Sequence, residues 1–373
     1  MRWRSLLVWF GLLSPLGIKA ESPEANSPMV LVPGKEHPLA FSEEWRPLGF
    51  QASYFNFTGD SEDNLELWFS ALTAGGRNSM VRLPFDGEGF PRLEPIFDTT
   101  LVKQYERELH GLEFPILTRA SGYVSHAGKS LVLAAVGPRY TGGASELVPW
   151  LFLEDGEGGW KSLGLPEGEP REFVEAAWER GLIVRSEVGG LAETSGGQKR
   201  MYLHGLTEPD LMGVWQRGNR LVVPKVLVAE AKNWEGPWSF IRHEDGRLWD
   251  IREESGLPWL FPHIQRIAEN QYLFTGASSW PPNRIYAGYS RDGLHFVVPA
   301  DKNASPVPLL TQSGIGEEVK FVKGLRGVRF KSGEFRAAVS MASIRMRGRS
   351  HVFSTEGEWA DKKLHSLLGE KNR

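Results

Sequence analysis

Five tryptophans lie close together in the second half of the chain and alternate with charged and polar residues. The tryptophans are Trp234, Trp238, Trp249, Trp259 and Trp280, and Asp250 and His263 lie among them. Sugar rings stack on indole faces, and sugar hydroxyls form hydrogen bonds with polar side chains. We therefore interpret four of the tryptophans and the histidine as ligand-binding residues: Trp238, Trp249, Trp259, His263 and Trp280. The competing interpretation is that the tryptophans fill gaps between the blades of a repeat fold.

Three arginines, Arg46, Arg119 and Arg326, each lie near the start of a predicted β-strand. Guanidinium groups that converge on one axis suit a carboxylate, sulfate or phosphate, because their N–H donors match the oxygens of these anions. We include these arginines among the candidate ligand-binding residues. The alternative is that they are ordinary surface arginines.

The sequence lacks the motifs of several other kinds of functional site. Gly128-Lys129-Ser130 resembles the end of a phosphate-binding loop, but Tyr123 occupies the position of its first glycine. The acidic run at 60–64 lacks the glycine and terminal glutamate of an EF-hand loop, so we interpret it as a hairpin turn. The chain contains neither a G-x-S-x-G nucleophile elbow nor an H-E-x-x-H zinc helix. We expect no metal site and no cofactor.

The composition favours a globular protein with a large core. Of 373 residues, 41% are hydrophobic and 24% are charged, which excludes wholesale disorder. The formal net charge of -3 offers no basic surface for nucleic acid. The chain has no cysteine, so neither disulfides nor thiolate chemistry are available to it.

The first 20 residues have the pattern of a secretion signal. Arg2 and Arg4 precede an apolar run at 6–16, and Ala20 ends a cleavage-site pattern. We predict a signal peptide over 1–20, a secreted or periplasmic protein and no stable membrane insertion after cleavage. The alternative is an N-terminal membrane anchor.

An apolar segment recurs along the chain about every 70 residues. It appears at 65–69, 131–135, 201–205, 272–276 and 335–339. A short predicted strand precedes each copy, and one or two further strands follow it, usually joined by Asp-Gly or Glu-Gly turns. Three to four strands repeated five times predict an all-β fold, a five-bladed β-propeller. The alternatives are a β-sandwich or two all-β domains.

We assign residues 21–373 to one domain. The predicted blades span roughly 46–98, 112–165, 181–228, 260–311 and 319–357. The last blade lacks one strand, and we expect residues 29–33 to supply it and close the ring. Short helices are predicted in loops at 100–109 and 170–180 and near the C-terminus at 360–368.

The fourth repeat, with Phe261-Pro262-His263-Ile264 followed by the strands at 271–275 and 285–296, resembles a blade of the five-bladed propeller glycosidases of the arabinanase and fructosidase type. This resemblance implies catalytic carboxylates that project into the axial funnel from the starts of inner strands in the first three blades. Arg46 occupies the expected position in the first blade, although Glu43 and Glu44 lie just before it. The second blade offers Glu113, and the third offers Glu175 or Glu187.

Glycoside hydrolysis needs two carboxyl groups that face each other across the scissile bond. We select Glu113, Glu187 and Asp250 as the candidate catalytic residues, but the sequence does not place a facing pair. It leaves open whether the ligand is hydrolysed or only bound.

The leading interpretation is therefore an exported propeller that binds a carbohydrate or another small polar ligand at its axial funnel. The competing interpretation is a non-catalytic propeller that binds a protein partner or serves as an envelope scaffold.

Overall fold

The structure is a computed structural model. It describes residues 27–38, 45–47, 55–59, 61–73, 78–85, 94–98, 101, 116–126, 129–137, 147–180, 184, 186–205, 225–255, 260–277, 283–311, 319–343 and 350–369. Among these residues, no helix is long and apolar enough to cross a membrane.

Five antiparallel sheets make up the described structure. The first blade contains β2 (Trp45–Pro47), β3 (Phe55–Thr58), β4 (Glu66–Thr73), β5 (Asn78–Pro84) and β6 (Glu94–Asp98). Both β2 and β3 pair with β4, so together they form the inner strand of this blade. The second blade contains β7 (Ile116–His126), β8 (Lys129–Gly137), β9 (Val148–Glu154) and β10 (Trp160–Gly164).

The third blade contains β11 (Glu187–Glu193), β12 (Lys199–His204), β13 (Val226–Ala231) and β14 (Ser239–Phe240). The fourth contains β15 (Leu260–Ala268), β16 (Gln271–Ala277), β17 (Arg284–Ser290) and β18 (Leu310–Thr311). The fifth contains β19 (Val319–Arg329), β20 (Phe335–Ser343), β21 (Ser350–Trp359) and β1 (Met29–Pro38). The third blade therefore extends beyond its predicted end at residue 228, because β14 joins it after a loop.

The inner strands form a closed ring. The inner strand of each blade contacts that of the next, in the order β3, β7, β11, β15 and β19, and β19 contacts β3 again. The predicted fold class, an all-β five-bladed propeller, is confirmed. The assignment of residues 21–373 to a single domain stays a prediction.

The N-terminal strand closes the ring, as predicted. β1 pairs antiparallel with β21, with Met29 opposite Trp359 and Leu31 opposite Gly357. Met29 and Leu31 are buried in the cluster that joins the fourth and fifth blades, so the fifth blade is completed by a strand from the other end of the chain. The strand is longer than the predicted 29–33.

Apolar side chains hold neighbouring blades together. Phe97 of the first blade packs against Trp160 of the second at 4.8 Å between ring centroids. Phe330 of the fifth blade belongs to the same buried cluster as Phe57 and Leu67 of the first. Alternate residues of a strand point to opposite faces of its sheet, so each blade can bury apolar side chains against both neighbours.

The helices lie where the sequence predicts them in two of three places. α1 (Glu169–Glu179) has Pro170 in its first turn, and α3 (Asp361–Leu367) lies in the C-terminal tail. The predicted helix at 100–109 lies outside the described residues except for Leu101. A further short helix, α2 (Ile251–Ser255), follows Asp250.

The inner strands of the third and fourth blades lie very close together at Gly190 of β11. Gly190 has φ +153°, and a Cβ atom built on it would lie 2.0 Å from the carbonyl oxygen of Ile264 in β15. Only a glycine avoids this clash, because the opposing atom belongs to the backbone and has no rotamer to change. Gly190 thus sets the distance between the third and fourth blades at the axis.

We expect Gly190→Ala to lower the free energy of unfolding by about 1 to 3 kcal/mol, the range of overpacking costs. Gly196→Ala is the matched control, because its Cβ would meet only the Thr194 hydroxyl at 3.8 Å. Urea unfolding followed by tryptophan fluorescence measures both variants. Equal unfolding free energies for the two variants would contradict the close-approach argument.

Candidate functional site: the axial cavity

A cavity of about 400 Å³ lies on the propeller axis. Its described walls come from the second halves of four inner strands, β3, β11, β15 and β19. The polar residues of the described lining are Asn56, Thr58, Glu193, His263, Gln265, Arg266 and Arg329. The cavity therefore lies toward the ends of the inner strands, next to the hairpins that lead into the second strands.

Backbone groups contribute to the polarity of this cavity. Each inner strand is the terminal strand of its sheet and pairs with one partner only. The N–H and C=O groups of its other edge therefore face the axis without a ladder partner from the same sheet. Such an edge can both donate hydrogen bonds to a polar ligand and accept them.

His263 is a buried histidine in the cavity wall, with 3% of its surface exposed. Its Nε2 atom lies 2.9 Å from Gln265 Oε1, and its buried Nδ1 atom has no hydrogen-bond partner among the described residues. Burial and, secondly, the charge of Arg326 hold the pKa of His263 well below its usual value, against the opposing effect of the Gln265 hydrogen bond. The imidazole is therefore neutral at neutral pH, and Nδ1 accepts when Nε2 donates.

Arg326 is almost fully buried, with 1% of its surface exposed. It lies near the end of β19 and not near the start of a strand, as the sequence predicts, because β19 begins at Val319. Its Nη1 atom donates to the Leu325 carbonyl at 2.9 Å, and Thr275 Oγ1 of the fourth blade donates to the same oxygen at 2.7 Å. Arg326 thus lies at the junction of the fourth and fifth blades.

Arg266 joins the third and fourth blades at the cavity wall. Its Nη1 atom donates to the Glu193 carbonyl at 2.8 Å, and its Nε atom donates to the Ala268 carbonyl at 3.1 Å. The Glu193 carboxylate points to Lys199 instead, with 2.6 Å between Oε2 and Nζ. The Glu193 carbonyl therefore binds Arg266, whereas the Glu193 carboxylate binds Lys199.

Arg329 connects the cavity wall to the C-terminal helix. Its Nη1 and Nη2 atoms donate to the two Asp361 carboxylate oxygens at 3.1 and 2.9 Å, and Nη1 also donates to Gln271 Oε1. The hydrogen bond from Arg329 holds the pKa of Asp361 below its usual value, although partial burial opposes this shift. This bidentate pair anchors α3 beneath the fifth blade.

The described cavity suits binding better than two-carboxylate hydrolysis. Within its described lining, Glu193 is the sole carboxylate, and it is already paired with Lys199. A glycosidase needs a second carboxyl group about 5 to 10 Å away. The groups that the cavity does offer are amide, guanidinium, imidazole and backbone hydrogen-bonding atoms.

The predicted funnel residues lie at the opposite end of the inner strands. Arg46, Arg119 and Glu187 lie near the starts of β2, β7 and β11. At these three positions the structure describes the backbone. Glu113, Trp259 and Trp280 lie outside the described residues. The assignments of these residues to a site stay predictions.

Asp250 lies away from the axis, at the first turn of α2. Its Oδ1 atom accepts hydrogen bonds from the backbone N–H groups of Val226 and Arg252 at 2.9 and 3.0 Å. Burial raises the pKa of Asp250, against these hydrogen bonds. Val226 begins β13, the third strand of its blade, so Asp250 lies about two strand spacings, or roughly 10 Å, from the inner strand. The structure gives this carboxylate a helix-capping role.

The two described tryptophans among the predicted binding residues do not border the axial cavity. Trp238 is fully buried and packs against Trp234, with ring centroids 6.2 Å apart. Trp249 is half-buried, stacks on His243 at 4.5 Å and meets the edge of His295 in the fourth blade. Their contacts fit the interpretation of tryptophans that fill gaps within and between blades.

Four polar lining residues were not predicted from the sequence: Glu193, Gln265, Arg266 and Arg329. These residues share one feature, which is a position near the end of an inner strand and before a hairpin turn. One signal was available, because His263 and Gln265 place polar groups at alternate positions of β15.

Comparisons with known proteins give structural likenesses only. No protein-family model matches the chain, and no curated protein does. The native arabinanase of Bacillus subtilis is similar at 12% identity, covering 84% of this chain and 95% of that chain with a TM-score of 0.49. A putative glycoside hydrolase from Parabacteroides distasonis is similar at 15% identity, with coverages of 86% and 96% and a TM-score of 0.48. A glycosyl hydrolase from Bacteroides ovatus is similar at 14% identity, with coverages of 90% and 92% and a TM-score of 0.47.

We expect the stability of the protein to depend on pH through His263. The unfolded histidine has a pKa of about 6.5, and the folded one has a lower pKa, so the folded state binds fewer protons. The neutral imidazole therefore contributes stability that is fully present above about pH 6.5 and is lost as pH falls through the folded pKa. His263→Gln should lose less unfolding free energy than the wild type between about pH 7 and pH 5.

Urea unfolding at several pH values measures this difference. His365→Gln on α3 is the control, because it removes a histidine from outside the cavity. Parallel pH profiles for the wild type and His263→Gln would show that His263 does not titrate as argued.

Proposed function

We propose that the protein is exported and binds a carbohydrate in the axial cavity. The observation that carries this proposal is a polar cavity of about 400 Å³ walled by the inner edges of terminal strands and by hydrogen-bonding side chains. Each sugar hydroxyl both donates and accepts hydrogen bonds, so it can use the N–H and the C=O groups of these edges together. Fractionation of cells that express the chain with and without residues 1–20 tests the export.

The size of the cavity favours a short saccharide. Small-molecule sites occupy about 300 to 1,000 Å³, and this cavity lies near the lower limit. It is also formed by the ring itself and not by one blade, so it provides one central site. This argues for a terminal sugar unit or a short oligosaccharide and against five equivalent lectin sites.

Gln265 is the side chain best placed to test binding. Its Oε1 atom interacts with His263, whereas its amide N–H groups have no partner among the described residues. Two uncommitted donors in a cavity wall are available to a sugar hydroxyl.

We expect Gln265→Leu to weaken saccharide binding by about 3- to 10-fold, the value of one net hydrogen bond. Isothermal titration calorimetry against a panel of mono- and disaccharides measures this effect. Gln198→Leu, in an exposed turn outside the cavity lining, is the control. If no member of the panel binds the wild type, the proposed function is wrong.

Hydrolysis would require a second site outside the axial cavity, formed by Glu113 and Glu187. They would lie at the starts of inner strands, where a pair separated by about 5 to 5.5 Å gives retention and one separated by about 6.5 to 9.5 Å gives inversion. If both are catalytic, Glu113→Gln and Glu187→Gln should each lower the rate of sugar release by at least about 100-fold. Glu172→Gln on the exposed face of α1 is the control. Wild-type rates in both variants would remove hydrolysis by this pair from the proposal.

The competing scaffold function receives no support from the described surface. An exposed apolar patch would mark a protein-binding face. Among the described residues, Val297 is the one large hydrophobic residue that is exposed, at 39%. A single valine does not form a patch.

A further inference from the structure

We propose that the saccharide bound in the axial cavity carries a carboxylate, and that Arg266 binds this group. This inference rests on the proposed carbohydrate-binding function and narrows its ligand to an acidic sugar such as a uronate. It follows from the distribution of charge and of committed hydrogen bonds around the cavity.

Arg266 is a cation without an anionic partner among the described residues. It is half-buried in the cavity wall, and its two hydrogen bonds go to the neutral carbonyl groups of Glu193 and Ala268. A guanidinium has five N–H donors, so three remain uncommitted, including both on Nη2. The cavity wall therefore holds a full positive charge together with free donors.

The other charged groups of the described lining are already compensated. Glu193 pairs with Lys199 at 2.6 Å, and Arg329 pairs with Asp361 at 2.9 Å. Neither pair leaves a net charge. The described lining therefore carries one uncompensated positive charge, that of Arg266, which favours an anion over a neutral ligand.

The environment of His263 also indicates a positive charge near the cavity wall. The positive charge of Arg326 contributes to the lowered pKa of His263, so a positive field reaches the wall from the fifth blade. An anion in the cavity would experience this field as attraction. A cationic ligand would meet repulsion from two blades.

The geometry favours a carboxylate that belongs to a sugar. Two carbonyl bonds hold the Arg266 guanidinium in place, so little side-chain entropy is lost when its free edge binds a ligand. A planar carboxylate can accept two parallel hydrogen bonds from such a fork. The hydroxyls of the same ring remain for the Gln265 amide and for the strand edges.

Calorimetry with paired sugars tests the inference. Galacturonate and glucuronate differ from galactose and glucose in one carboxylate, so each pair isolates the contribution of charge. We expect each uronate to bind about 10- to 100-fold more tightly than its neutral partner, which corresponds to one charge-assisted contact. In Arg266→Gln this preference should disappear, while the affinity for the neutral sugars should stay within about 3-fold.

Two further variants separate the charge of Arg266 from its structural role. Arg266→Lys keeps the charge but loses the fork, so it should retain part of the preference for uronates. Arg284→Gln removes an exposed arginine of β17 outside the cavity lining and should leave the preference unchanged. Thermal unfolding of each variant monitors its fold.

The outcomes are distinguishable. Equal affinities for uronates and neutral sugars would overturn the inference and keep the carbohydrate-binding function. Acetate or sulfate that binds as tightly as the uronates would also overturn it, because a small anion alone would then suffice. Binding of neither sugar class would overturn the proposed function together with the inference.

Discussion

The described structure depends on one constraint, which is that five inner strands must pack edge to edge around a single axis. The contact at Gly190 shows how tight this packing is, because the Ile264 carbonyl occupies the space of a missing Cβ. A ring of this kind has no free end only if its last blade is completed, and the pairing of β1 with β21 provides this completion. Chain closure and axial packing therefore stabilise each other.

Polar contacts between blades follow a common pattern, in which a side chain of one blade binds the backbone of the next. Thr275 binds the Leu325 carbonyl between the fourth and fifth blades, and Arg266 binds the Glu193 carbonyl between the third and fourth. Arg200 and Tyr202 of the third blade donate to the Asp292 and Gly293 carbonyls of the fourth. Such bonds satisfy polar groups that burial would otherwise leave unpaired. They also leave part of the charge of Arg266 available at the axis.

The architecture was accessible from sequence because it depends on local patterns that repeat. Apolar segments and hairpin turns indicate strands. The predicted strand near residue 30, which belonged to no complete blade of its own, indicated how the ring closes. The site was harder to predict from the sequence, because the composition of the tryptophan-rich segment suggested a binding site there. Two of its members, Trp238 and Trp249, instead use their rings in contacts within and between blades. Composition alone does not distinguish an indole that binds a ligand from one that fills a gap.

By itself, the sequence determined the all-β class, the number of blades, the closing strand and two of the helices, because each follows from the periodicity or punctuation of a short segment. The tertiary structure alone decided which polar residues meet. Arg266, Gln265 and Arg329 come from two blades, and they reach one cavity because strand ends from different repeats converge on the axis. It also decided which charges are compensated, since the partner of Arg329 lies on a helix 32 residues further along the chain. Contacts between residues distant in sequence depend on how the blades pack, and no local pattern encodes them.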